Sequence, residues 1–170
     1  DVLLDAIVDF LPSPLDRPVI EGQNLHGIPA RRDLREDSHI CALAFKTSTN
    51  QHGELTFLRL YTGSFRNGDA LLNPRTGKLE RPPRIYRMFA NHRRDPLQIA
   101  CPGEIVAAVG LKSTVTGDTL CAKEAPILLE RMQFPEPVLQ VAIEPNSSAD
   151  KDRLDAVLKA LAKDDPTFRV

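Results

Sequence analysis

The clearest strand pattern in this chain lies at residues 40–63, which read ICALAFKTSTNQHGELTFLRLYTG. Residues 40–46 have the length of a strand, and a period of two places their larger side chains on one face. Residues 54–61 are rich in Leu, Thr, Phe and Tyr and predict a second strand, whereas the polar residues 47–53 predict the loop between them. The side chains that share a face of the first strand are Cys41, Leu43 and Phe45.

Similar short patterns continue to about residue 121. Strands are predicted at 69–73, 84–89, 105–111 and 119–121, and glycines and prolines separate them. Residues 73–77, Asn-Pro-Arg-Thr-Gly, form a strong turn signal. Short strands at this spacing predict a mainly β fold with a closed antiparallel β-barrel or a sandwich.

The N-terminal residues predict an amphipathic helix that leads into a connector. Apolar side chains recur there at helical spacing, and Pro12 and Pro14 end the pattern. Residues 16–38 are rich in charge and contain Pro and Gly, so we interpret them as an interdomain segment without regular structure. The apolar side chains of the helix are Leu3, Ile7, Phe10 and Leu11.

After Pro135 the pattern changes from β to mixed. Residues 138–144 alternate and predict a strand, and Ser147 is suited to cap a following helix. Residues 167–170 predict the start of another strand. A strand–helix–strand unit is too small to close a core alone, so we interpret it as part of an incomplete second domain. The apolar face of the predicted helix consists of Leu154, Val157, Leu158 and Leu161.

Composition excludes several classes of protein. The chain has 170 residues and a formal net charge of −1, so a nucleic-acid surface must be local. No run approaches 18 apolar residues, which argues against a membrane span. Three dispersed cysteines, Cys41, Cys101 and Cys121, are typical of inert core thiols in a reducing compartment. The four histidines are isolated, so we expect no metal site.

Two apparent motifs carry no chemistry. Gly63 and Gly68 have the spacing of a phosphate-binding loop, but Asp69 and Ala70 stand where such a loop needs Lys and Ser or Thr. We therefore interpret the glycines as part of a hairpin. A nucleophilic pair of Cys101 with His92 has no local support in the sequence.

The basic stretch, residues 75–94, is the strongest candidate for binding. It holds seven Lys and Arg side chains against one acidic residue, Glu80. Guanidinium groups on a strand and a loop suit phosphate oxygens, and the scarcity of aromatic residues argues against base stacking. A solvated basic face paired with acids elsewhere remains the alternative. The candidate RNA-binding residues are Arg81, Arg84, Arg87, His92, Arg93 and Arg94.

An ordered set of short segments resembles the elongation factor G family of translational GTPases. The segment LLDAIVDFLPSP at 3–14 resembles the end of the GTPase domain. Five segments resemble parts of the second domain of that family: ALAFK (42–46), GELTFLRLYTG (53–63), ANHR (90–93), GEIVAAVGLK (103–112) and TGDTLC (116–121). Three segments resemble the start of the third domain: FPEPV (134–138), AIEP (142–145) and DDPTFRV (164–170).

The resemblance implies a fragment of a factor that drives ribosomal translocation with GTP and magnesium. The nucleotide-binding motifs of such factors lie upstream of Asp1, so neither cofactor nor GTPase activity is expected in these residues. The implied partners are small-subunit ribosomal RNA and the missing domains of the same chain. The resemblance implies a cytoplasmic location and no interaction with a membrane.

The resemblance also implies a domain organisation. Residues 1–14 would end the GTPase domain, 15–37 would connect, 38–125 would form the β-barrel of domain II, 126–136 would link, and 137–170 would begin a ferredoxin-like domain III. Pro83 and the basic Arg93-Arg94 pair depart from the family pattern. These departures leave open a paralogue that works in ribosome recycling or under special conditions. A purely structural interdomain spacer, with slight RNA contact, is a separate alternative.

Overall fold

The computed structural model describes residues 1–16, 19–35, 38–50, 53–89, 93–130, 132–145, 147–165 and 167–170. For residues 49, 50, 148, 149 and 163 only the backbone is described. The elements in chain order are α1 (Val2–Phe10), a 3-10 turn (Pro14–Asp16), β1 (Val19–Gln23), β2 (Pro29–Asp33), β3 (Cys41–Asn50), β4 (Gly53–Thr62), β5 (Phe65–Arg66), β6 (Leu71–Asn73), β7 (Lys78–Glu80), β8 (Arg84–Met88), β9 (Arg94–Leu97), β10 (Ile99–Ala100), β11 (Ile105–Val109), β12 (Thr119–Cys121) and α2 (Ser148–Asp164).

The main sheet has eight antiparallel strands in the order β7-β6-β12-β3-β4-β11-β8-β9. The long β3–β4 hairpin forms its centre, and Asn50 pairs with Gly53 at the tip. Residues 47–50 therefore extend β3 and Gly53 begins β4, so the prediction of a loop at 47–53 is wrong for these residues. Residues 51 and 52 lie outside the described residues. Thr side chains are compatible with a pleated strand, and here the hairpin partner supplies the hydrogen bonds. The predicted mainly β class is confirmed.

The main core lies on the inner face of this sheet. It also includes Phe65 of β5 and Ala100 of β10, which pair with each other outside the eight-stranded sheet. The predicted turn at 73–77 is confirmed, with Gly77 at φ +68° between β6 and β7. The buried members of this core are Ile40, Ala42, Ala44, Leu58, Leu60, Phe65, Leu71, Ile85, Ala100, Val106, Ala108, Leu111, Leu120 and Ala122.

The predicted connector contains a β-hairpin. β1 pairs with β2 from Val19–Asp33 to Gln23–Pro29, so the prediction of a segment without regular structure is wrong for residues 19–33. The Asn24 side chain accepts hydrogen bonds from the amides of His26 and Ile28, at 2.9 and 3.0 Å, which fixes the turn. These strands contain few apolar residues, which is why the sequence pattern did not reveal them.

The hairpin packs on the outer face of the main sheet and forms a second, smaller core. Gln23 and Leu128 exchange two backbone hydrogen bonds of 2.8 and 2.7 Å. A Cβ atom on Gly22 would lie 2.6 Å from the Leu128 carbonyl oxygen, so only glycine allows this approach. The second core consists of Cys41, Cys121, Ile127 and Leu129, with Ile20, Ala30, Leu43, Tyr61 and Leu72 packed against it.

Both predicted helices are present, but the strands predicted beside α2 are not formed. Ser147 caps α2 and accepts a hydrogen bond from the Asp150 amide at 3.3 Å, as predicted. Residues 132–145 and 167–170 contain no strand. Within the described part of the chain, no neighbouring strand supplies hydrogen bonds to residues 138–144, and Val138 and Leu139 are 92% and 84% exposed. An unpaired strand is not stable in water.

None of the helices within the described ranges combines the length and the apolar character that crossing a membrane requires.

Candidate nucleic-acid interface

The basic stretch is divided between the two edges of the main sheet: β7 forms one edge, and β8 with the edge strand β9 forms the other. Ile85 of β8 is buried in the main core, so residues of the opposite parity lie on the outer face. Arg84 is exposed on that outer face, and Tyr86 and Met88 are half-buried there. β8 therefore presents one arginine outward near its start.

β9 contributes a second arginine to the same outer face. Met88 pairs with Arg94 and Tyr86 pairs with Pro96 in the antiparallel register, and directly opposed residues share a face. Arg84 and Arg94 thus lie on one face, separated along the strands by about 13 Å. The outer face of β8–β9 has exposed Arg84 at one end and half-buried Arg94 at the other, with half-buried Tyr86 between them and half-buried Met88 beside Arg94.

Arg87 lies on the other face and is paired. It alternates with the outward-facing Tyr86 and Met88 and forms an ion pair with Glu104, which precedes β11. The second carboxylate oxygen of Glu104 accepts a hydrogen bond from the Cys101 amide at 2.8 Å. This carboxylate compensates the charge of Arg87 and fixes its position at the rim of the core.

Arg93 forms an ion pair with Asp95 of β9, the strand that begins at the next residue. Its Nε and one Nη atom each donate to a carboxylate oxygen of Asp95 at 3.0 Å. These hydrogen bonds, reinforced by the charge of Asp95, raise the pKa of the Arg93 guanidinium above its usual value. The guanidinium also lies 5.2 Å from the centre of the Phe89 ring. Arg93 is exposed, but a nearby carboxylate shares its charge.

The two remaining arginines of the stretch that have internal contacts are Arg75 and Arg81. Arg75 donates two hydrogen bonds to Asp118, at 2.5 and 2.8 Å, and one to the Ser113 carbonyl oxygen at 3.0 Å. Arg81 donates to the Gly68 carbonyl oxygen at 3.2 Å. Arg75 therefore stabilises the fold, whereas Arg81 has only a neutral partner.

The structure sorts five of the six sequence candidates into three groups. Arg87 and Arg93 have carboxylate partners, and Arg81 has a carbonyl partner. Arg84 and Arg94 have neither an ion-pair nor a hydrogen-bond partner within the described part of the chain. His92, together with Ala90 and Asn91, lies outside the described residues.

The sequence analysis did not identify the acidic residues that compensate the charges of the arginines. Glu104 and Asp118 are separated from their partners by 17 and 43 residues. Glu80, the one acid inside the stretch, is buried and accepts hydrogen bonds from the amides of Lys112 and Ser113 and from the Thr114 hydroxyl. No local signal in the sequence identifies such long-range pairs.

Among the residues that the structure describes, no group of three or more His, Cys, Asp or Glu side chains could hold a metal ion.

Comparison with known proteins identifies both parts of the chain. The family model described as elongation factor G domain 2 matches residues 39–123, and the model described as elongation factor G domain III matches residues 134–170. A crystal structure of a protein from Thermus thermophilus has a TM-score of 0.71 and 26% sequence identity with this chain. The match covers 98% of this chain and 23% of the solved one.

Proposed function

Because the chain belongs to the elongation factor G family, we propose that it is the domain II and domain III portion of a ribosomal translocase. In this proposal the β domain contacts small-subunit ribosomal RNA in the cytoplasm and couples the GTPase domain to the remaining domains. GTP and magnesium are cofactors of the whole factor in this proposal. The proposed domain boundaries, after residues 14, 37, 125 and 136, are those expected from the sequence.

The arrangement of Arg84 and Arg94 is the observation that carries the RNA contact. Both lie on the outer face of β8–β9 without an internal acidic partner in the described structure, so their charge is available to an external anion. Phosphate oxygens are suitable anions because guanidinium groups donate to them in a fixed planar geometry. About 13 Å separates the two arginines along the strands, too far to share one phosphate. A nucleic-acid backbone offers two separate phosphates.

We also propose that the β domain is a closed barrel, and the segment after β5 supports this. The Gly68 amide donates to the Pro82 carbonyl oxygen, just after β7, at 2.8 Å. The neighbouring Asn67 side chain donates to the Leu97 carbonyl oxygen of β9 at 2.8 Å. Because β7 and β9 are the two edges of the main sheet, this segment bridges the edges.

Charge reversal of the outer face tests the RNA contact. The double variant Arg84→Glu/Arg94→Glu is expected to bind purified small ribosomal subunits more weakly than the unaltered chain. The slope of log binding constant against log salt should fall by about two, one for each lost phosphate contact. The matched control is Lys151→Glu/Arg153→Glu on the exposed side of α2, which changes net charge equally and should leave the slope unchanged.

A structural spacer is the second candidate, and one observation favours it. Arg75, Arg87 and Arg93 are compensated by Asp118, Glu104 and Asp95, so much of the basic stretch is neutralised inside the chain. If both double variants weaken binding equally, or if neither does, the result supports the structural spacer and rejects the specific phosphate contact. Translocation and ribosome-recycling assays with the whole factor distinguish the translocase from a paralogue.

A further inference from the structure

Cys41 of β3 and Cys121 of β12 are directly opposite each other in the antiparallel ladder. The Ala122 amide donates to the Ile40 carbonyl oxygen at 3.1 Å, which joins the residue after Cys121 to the residue before Cys41. The two cysteines therefore occupy a non-hydrogen-bonded position, where Cα atoms are about 4.5 Å apart and side chains are close. Disulfides span Cα separations of about 4.4–6.8 Å, so this position is suitable for one.

The two thiols are free and lie on the outer face of the sheet, beneath a layer that packs on this face. This layer, here called the cover, consists of β1, β2 and residues 127–129. It buries Cys41 and Cys121 completely, with 0% exposure for each. A two-stranded hairpin is marginally stable by itself, so the cover can open while the main core on the opposite face stays intact.

We propose that Cys41 and Cys121 are a latent disulfide pair that becomes oxidisable when the cover lifts. The oxidant is a small-molecule disulfide such as glutathione disulfide. One cysteine thiolate attacks it, forming a mixed disulfide and releasing one glutathione thiolate. The second cysteine thiolate then attacks the protein sulfur of the mixed disulfide and releases the other. Two electrons pass to the oxidant, and the two protons lost by the cysteines end on two glutathione thiols.

The closed cover also suppresses the chemistry, which explains why the pair is latent. Burial raises the pKa of Cys41 to about 12, the nearby Cys121 adds to the rise, and Arg32 opposes it. Burial likewise raises the pKa of Cys121. A protonated thiol is a poor nucleophile, so both cysteines are inert while covered.

Trapping the oxidised pair tests the proposal. The chain carrying Cys101→Ser, which retains only the two facing cysteines, is incubated with glutathione disulfide under native conditions. Free thiols are then blocked with N-ethylmaleimide, and the products are identified by intact mass and by peptide mapping. The expected product has lost two hydrogens and contains Cys41 linked to Cys121.

Two variants that weaken the cover test its role as the gate. Gly22→Ala introduces a Cβ that collides with the Leu128 carbonyl, and Ile20→Ala removes apolar packing from β1. Either should accelerate formation of the linked product about tenfold. The control is Gly53→Ala, which strains the distant tip of the β3–β4 hairpin at φ +104°, and rates are compared at equal loss of global stability.

Three results would overturn the proposal. The first is a glutathione adduct on either cysteine that never closes to the linked product, because it would show that the sulfur atoms cannot meet. The second is equal acceleration by Gly53→Ala and the cover variants, because it would show that oxidation requires global unfolding. The third is a pair that stays reduced in both cover variants.

Discussion

Asp118 is a residue at which two segments of the chain meet. Its carboxylate accepts hydrogen bonds from the Asn73 side chain, the Arg75 guanidinium and the Val115 amide, at 2.5–2.9 Å. Burial by itself raises the pKa of Asp118, but the hydrogen bonds from Arg75, Val115 and Asn73 outweigh burial and hold the pKa below its usual value. Ionised Asp118 therefore joins the β6–β7 turn to the segment before β12.

Replacing Asp118 is expected to destabilise the fold in a pH-dependent manner. Asp118→Ala should cost about 2–4 kcal/mol at pH 7, because it leaves a partly exposed guanidinium and buried donors without an acceptor. The folded pKa lies below the unfolded value of about 3.9, so the contribution is complete above about pH 4 and is lost as pH falls through the folded pKa.

Urea unfolding at a series of pH values checks this prediction. The difference in unfolding free energy between the unaltered chain and Asp118→Ala should shrink below about pH 4. The exposed Asp155→Ala on α2 serves as control and should change stability by no more than about 0.5 kcal/mol. A difference that stays constant down to acid unfolding would show that the charge of Asp118 contributes nothing.

Single residues also show how much of the candidate site the sequence can reveal. The local excess of arginine is visible in the sequence, and the alternation along β8 is enough to put Arg84 and Arg87 on opposite faces. Compensation of Arg87 by Glu104 is a tertiary contact made through β11, and a local charge count does not register it. Arg84 and Arg94 stand out only after such pairs are known.

At the scale of elements, strands with strong apolar alternation were predictable and polar ones were not. β3, β4 and β11 supply much of the main core, and the sequence pattern located all three. β1 and β2 were missed because their stability comes from Asn24 in the turn and from contact with residues 127–129, which are far away in sequence. The strand predicted at 138–144 has the apolar pattern but lacks a partner strand.

Barrel closure predicts slow hydrogen exchange at one short segment. If Asn67 and Gly68 bridge the sheet edges, the Gly68 amide should exchange only as the whole β domain unfolds. The Gly77 amide, which donates to Asn73 within a local turn, is the control and should exchange at least about tenfold faster. Measurement by NMR decides the matter, because equal rates at the two glycines would mean that the sheet stays open.

Across the whole molecule, burial is concentrated in the part before residue 130. The main core ends with Ala122 and the second core with Leu129. α2 lies beside β3, but none of the α2 side chains that the structure describes is fully buried. The match to elongation factor G domain III begins at residue 134, so the change in burial and the change of family domain fall close together.

This distribution predicts that the β domain is stable without residues 134–170. A chain that ends at Gln133 should lose less than about 1 kcal/mol of unfolding free energy in urea, because it loses no fully buried side chain in the described structure. The control is a chain that ends at Ala125. It also lacks Ile127 and Leu129, whose burial is worth about 1.5–3 kcal/mol each, and the cover loses its attachment at Leu128. The shorter chain should therefore lose several times more stability. Similar losses in the two truncated chains would instead mean that α2 stabilises the β domain through its position beside β3.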